Sequence, residues 1–126
     1  MSNLQESQVY EAIGEDGFHR LVAEFYRQVP NDEVLGPMYP AEDLASAESR
    51  LRGFLIFRLG GPQTYIEERG HPRLRMRHVS FHIDQRARDR WLQLMESAIE
   101  AAELPVHAAT VLRQFFPAVA TFLINR

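Results

Sequence analysis

Apolar residues recur at three- and four-residue steps along most of this chain, and that spacing predicts helices. Over 18–29, Leu21, Val22, Phe25, Tyr26 and Val29 share one face, and Pro30 with Asn31 stops the helix. Over 45–59, Ala47, Leu51, Phe54, Leu55 and Leu59 do the same. Gly60-Gly61-Pro62 follows as a stop signal, with glycine past the end and proline beyond it. Asp84 is placed to cap a helix running to about Ala102, with Trp91, Leu94, Met95, Ala98 and Ile99 on one side. Pro105 opens a last helix whose stripe is Leu112, Phe115, Phe116, Val119, Phe122 and Leu123, and Pro117 inside it should kink it.

From 62 to 84 the helical pattern weakens, with Gly70 and two prolines, so this stretch is expected to be mostly loop with one short helix just before His78. No run alternates as a strand does. The predicted class is all-α, with five or six helices and one irregular connector of roughly twenty residues, a length that in small domains usually serves a function.

The chain has 126 residues, which fits a single domain, 1–126, with one core. Its net charge of −3 argues against nucleic acid as a partner. No apolar stretch is long enough to span a membrane, and the polar start lacks the order of a signal peptide. With no cysteine, disulfides, thiolate ligands and covalent haem attachment are excluded, and a cytoplasmic location is expected.

The connector carries the unusual chemistry. Arg69, Arg73, Arg75 and Arg77 make a basic run in an acidic protein and end at His78. A neutral imidazole is a good axial ligand for haem iron, and Val79, Phe81 and Ile83 can press on a flat apolar cofactor. The same pattern also fits a surface histidine in an arginine-rich loop. His78 and His82 have the i, i+4 spacing of a metal pair, but no carboxylate completes a zinc site. His19, His71 and His107 occupy polar positions and are expected at the surface. Tyr26, Tyr39 and Trp91 each join an apolar body to one polar hydrogen. Taken singly they fit an ordinary core; together they can line a pocket and donate hydrogen bonds.

These residues fall in an order that resembles the truncated haemoglobins, and among them the second group. Tyr10-Glu11-Ala12-Ile13-Gly14 is similar to the family's opening helix and first glycine turn. Phe25-Tyr26 resembles the pair that holds its distal tyrosine, and Tyr39-Pro40-Ala41-Glu42-Asp43-Leu44 resembles the turn before its distal helix. Gly60-Gly61-Pro62 with Tyr65 resembles the glycine turn after that helix. Gly70-His71-Pro72-Arg73-Leu74-Arg75-Met76-Arg77-His78 is close to the proximal segment, and Trp91 falls where the second group carries a distal tryptophan. The likeness spans most of the chain. It departs at the first turn, where Glu15-Asp16-Gly17 follows Gly14 and the turn is a residue shorter.

The resemblance implies a two-over-two helical sandwich around a b-type haem, with His78 on the iron. Ala47, Leu51, Phe54, Met76, Arg77, Phe81 and Trp91 would then contact the cofactor, and Tyr26, Tyr39 and Trp91 its small ligand. Arg77, then Arg75, would meet the propionates. The expected function is reversible binding of dioxygen, NO or CO. NO oxidation or peroxide chemistry with an unidentified reductase is a further expectation of that resemblance. The alternative is a helical interaction module without haem.

Overall fold

The computed structural model describes residues 4–63, 67 and 83–125. Among these residues are four α-helices: α1 (Val9–Gln28), α2 (Leu44–Arg58), α3 (Gln85–Ala101) and α4 (Val106–Phe122). Short 3₁₀ turns lie at Glu6–Gln8, Val29–Asn31, Gly36–Met38 and Ala41–Asp43. Helix α1 packs on α2 and α3, and α3 packs on α4. The result is two helix pairs joined where α1 crosses α3, the expected all-helical class.

The turn chemistry accounts for most boundaries. The Asp84 carboxylate accepts from the Ala87 N–H at 2.9 Å, so Asp84 caps α3 as expected. Pro105 stands just outside α4 as its cap residue. Pro117 sits inside α4, which runs through it. Gly60 ends α2 at φ +101°, a conformation that side chains resist. A Cβ there would lie 1.9 Å from the Ser7 carbonyl oxygen. The turn is that tight because it docks on the start of α1, where the Tyr10 N–H donates to the Leu59 carbonyl at 2.9 Å.

Helix α1 begins nine residues earlier than the 18–29 expected from the apolar stripe. It is two helical pieces, broken at Gly14 with φ 68° and ψ 177°. The break changes the direction of the chain, so the first piece carries its own apolar phase through Val9 and Ile13. The second piece buries Phe18, Leu21, Val22 and Phe25 completely. Each such side chain contributes about 1.5–3 kcal/mol on burial. With Leu55, Leu59, Met95, Leu112 and Phe116 they make one core.

Among the expected stripe residues Phe122 is 55% exposed, and Leu51, Trp91, Leu94, Val119 and Leu123 are half-buried. The end of α4 meets the start of α3, a polar Gln-Arg-Ala-Arg turn from which Arg88 Nε donates to Thr121 Oγ1 at 3.0 Å. Two further bonds tie the ends of this half together. The Asn125 N–H donates to the Ile83 carbonyl at 2.8 Å, and the Ile83 N–H donates to Asn125 Oδ1 at 3.0 Å.

Candidate functional site

Three of the polar aromatics singled out in the sequence come together in one cluster. Tyr26 lies on the buried face of α1, with 7% of its surface exposed, because it follows Phe25 on the same amphipathic stripe. Tyr39 ends the Gly36–Met38 turn and is half-buried. The two rings meet edge to face with centroids 5.5 Å apart. Trp91, in the second turn of α3, reaches the cluster through Phe25. The Phe25 ring is 5.0 Å from Tyr26 and 5.3 Å from Trp91. On its other side Trp91 packs against Phe116 at 5.4 Å.

Burial, first, and then the neighbouring Tyr39 push the Tyr26 hydroxyl far above its ordinary pKa. Burial raises Tyr39 as well. Both are therefore neutral throughout the physiological range, and each keeps one proton to donate. The two hydroxyls also act on each other, an interaction that adds to the rise at Tyr26 and offsets part of the rise at Tyr39. Either tyrosine can turn its proton toward a third acceptor. Among the described residues, Trp91 Nε1–H has no acceptor.

Helix α2 supplies the apolar companion. Ala47 and Phe54 are buried at 6% and 8% exposure, and Leu51, half-buried, lies between them on the same face. Ala47 is small and carries no polar atom, so hydrogen bonding to a ligand falls to the two tyrosines and the tryptophan. Neutral donors beside a small apolar residue suit a weakly anionic or dipolar ligand, and the apolar surround suits a flat hydrophobic cofactor.

Met76, Arg77, His78 and Phe81, the expected iron ligand and cofactor contacts, lie outside the described residues, as do Arg69, His71, Arg73, Arg75, Val79 and His82. His19 and His107 are exposed, as expected. Among the described residues no group of three or more metal-binding side chains comes together. None of the described helices is long and apolar enough to cross a membrane.

Two residues beside the cluster are absent from the sequence-based expectations. Asp32, the one buried charged residue described, sits in the corner after α1. Its Oδ1 accepts from Arg90 Nε at 3.0 Å and from Arg90 Nη2, and its Oδ2 accepts from the N–H groups of Val34 (3.0 Å) and Leu35 (2.8 Å). Burial would raise the carboxyl, but the Arg90 guanidinium and the two backbone donors outweigh it and hold it below the usual carboxylate range. The only sequence signal was an Asp two residues after a helix-stopping proline, the position of an Asx-type turn.

The sequence profile of the bacterial-like globin family matches residues 8–123. A Group 2 truncated hemoglobin of Bacillus subtilis is 43% identical over 91 residues, which is 72% of this chain and 68% of that protein. The crystal structure of a hemoglobin from the thermophilic phototroph Chloroflexus aurantiacus superposes with a TM-score of 0.89 at 44% identity, covering 94% of this chain and 98% of that one. A truncated oxygen-avid haemoglobin from Bacillus subtilis superposes at 0.87 with 37% identity, covering 93% and 98%.

Proposed function

Because the chain belongs to the bacterial-like globin family, and within it to the group 2 truncated haemoglobins, we propose that it binds dioxygen reversibly at a haem b whose iron is held by His78. Haem-based ligand binding is the property of the globin family; the ligand, the type of haem and the residue roles are the proposal. The observation that carries it is the Tyr39–Tyr26–Phe25–Trp91 cluster.

The haem, when bound, supplies an iron that takes a diatomic ligand. The chain's own residues set the field around that ligand. Tyr39 donates a hydrogen bond to it, and Tyr26, packed edge to face against the Tyr39 ring, holds that ring in place. Trp91 offers a second donor. Ala47 leaves room for the ligand, while Leu51 and Phe54 exclude water along α2. Dioxygen draws electron density when it binds and becomes partly negative, so donors in a dry pocket retain it better than they retain CO. On this reading Arg77 and Arg75 face the propionates, and Met76 and Phe81 press on the ring. The relative from Bacillus subtilis described as oxygen-avid supports dioxygen as the ligand.

The test is haem titration of the purified haem-free protein, followed by gel filtration. One haem per chain and a Soret band that survives the column support the proposal. A protein that takes up haem weakly or without stoichiometry is the helical interaction module instead.

A further inference from the structure

Asp32 and Arg90 lie outside the pocket yet connect two elements that build it. Arg90 immediately precedes Trp91 on α3. Asp32 begins a short hydrogen-bonded ladder that ends at Tyr39. The Asp32 N–H donates to the Val29 carbonyl at 3.0 Å, the Gly36 N–H to the Asp32 carbonyl at 2.9 Å, and the Tyr39 N–H to the Gly36 carbonyl at 3.1 Å. The backbone of the ladder packs closely on itself: a Cβ at Gly36 would lie 3.2 Å from the Val29 carbonyl oxygen. The Asp32 carboxylate accepts four hydrogen bonds, two from the ladder's own backbone and two from Arg90. A two-pronged guanidinium contact of this kind fixes direction as well as distance.

The geometry points to Asp32 and Arg90 as positioning residues for the ligand pocket: the pair locks the Trp91 turn of α3 to the corner that presents Tyr39. One partner of the strut is nearly sealed from water, the Asp32 side chain being 2% exposed, while the Arg90 side chain is 40% exposed. The exposed partner can therefore be changed without opening the core. Loss of the strut lets α3 and the corner move independently, so the two donors no longer converge on one ligand. This inference rests on the proposed role of Tyr39 and Trp91 as donors.

The experiment compares Arg90→Gln and Arg90→Lys with Tyr39→Phe and Trp91→Phe. Trp91 is the only tryptophan, so its emission in the haem-free protein reports its position directly. The C–O stretch of the ferrous carbonyl protein reports the field in the pocket, and stopped-flow measures dioxygen release. Arg90→Gln is expected to shift the Trp91 emission, move or split the C–O band, and speed release by about two- to threefold, the loss of part of a hydrogen bond. Arg90→Lys keeps the charge and one donor, so it should restore part of each change. If Arg90→Gln does not fold, Asp32→Asn, which keeps an oxygen for the Val34 and Leu35 N–H groups, carries the same comparison. A variant that melts earlier but keeps the parent's emission, C–O band and release rate overturns the strut alone, provided the two donor variants change band and rate. If the donor variants change neither, the pocket assignment fails and the strut with it.

Discussion

Replacing Tyr39 by phenylalanine removes one oxygen and leaves the ring, so the edge-to-face contact with Tyr26 at 5.5 Å survives. Two things are lost. The ligand loses a donor, and the Tyr26 hydroxyl loses its polar neighbour. The second loss weakens the protein with and without ligand and so largely cancels from the affinity. The first appears only when the ligand is present. A net hydrogen bond is worth about 0.5–1.5 kcal/mol, and about 1.4 kcal/mol is tenfold in an equilibrium constant. Dioxygen release should therefore quicken by about two- to tenfold in Tyr39→Phe, by a similar factor in Trp91→Phe, and by less in Tyr26→Phe, whose hydroxyl already has that of Tyr39 as a neighbour. The assay is stopped-flow displacement of dioxygen by excess CO. CO release, measured by displacement with NO, should respond less, because bound CO carries less negative charge. Parent-like dioxygen release in the triple variant would refute the polar pocket, and the three side chains would be core packing only.

Asp32→Asn should lower stability at neutral pH by about 1–3 kcal/mol, the cost of weakening a buried charged hydrogen-bond set, as measured by urea unfolding. Since the folded carboxyl titrates below its unfolded value of about 3.9, that contribution is present above roughly pH 4 and is lost as the pH falls. The gap between parent and Asp32→Asn should accordingly close in acid. The Tyr26 and Tyr39 hydroxyls are shifted the other way, so their stabilising contribution is complete below about pH 10 and declines as the pH rises beyond it. Ultraviolet titration should show these two phenols ionising only with alkaline unfolding. Gly60→Ala places a Cβ against the Ser7 carbonyl at φ +101°, and thermal melting should show a loss of at least about 2 kcal/mol.

Helix ends were legible wherever a single residue type does the work. Gly60 and Asp84 stand where the pattern put them, and Pro105 is the residue just before α4. The apolar stripe alone missed the start of α1, because Gly14 resets the helical phase and the polar Glu11, Glu15 and Asp16 interrupt it; the family resemblance put an opening helix and glycine turn at Tyr10–Gly14, where they stand. Phe122 matched the spacing of its neighbours, but spacing cannot report that it is the last residue of α4 and exposed. The cluster of Tyr26, Tyr39 and Trp91 could be assembled beforehand only from the family resemblance, since 64 residues separate Tyr26 from Trp91 on α3 and no local pattern joins them. Asp32 and Arg90 escaped for the same reason: an aspartate in a turn and an arginine on a polar helix face look solvated until the fold brings them together.

The most direct test of the whole account is the optical spectrum of the reduced, ligand-free protein, recorded for the parent, His78→Ala and His82→Ala. If His78 holds the iron, His78→Ala loses stable haem or keeps it only loosely, while His82→Ala keeps the parent's five-coordinate ferrous bands. A parent-like spectrum in His78→Ala together with its loss in His82→Ala would contradict the assignment.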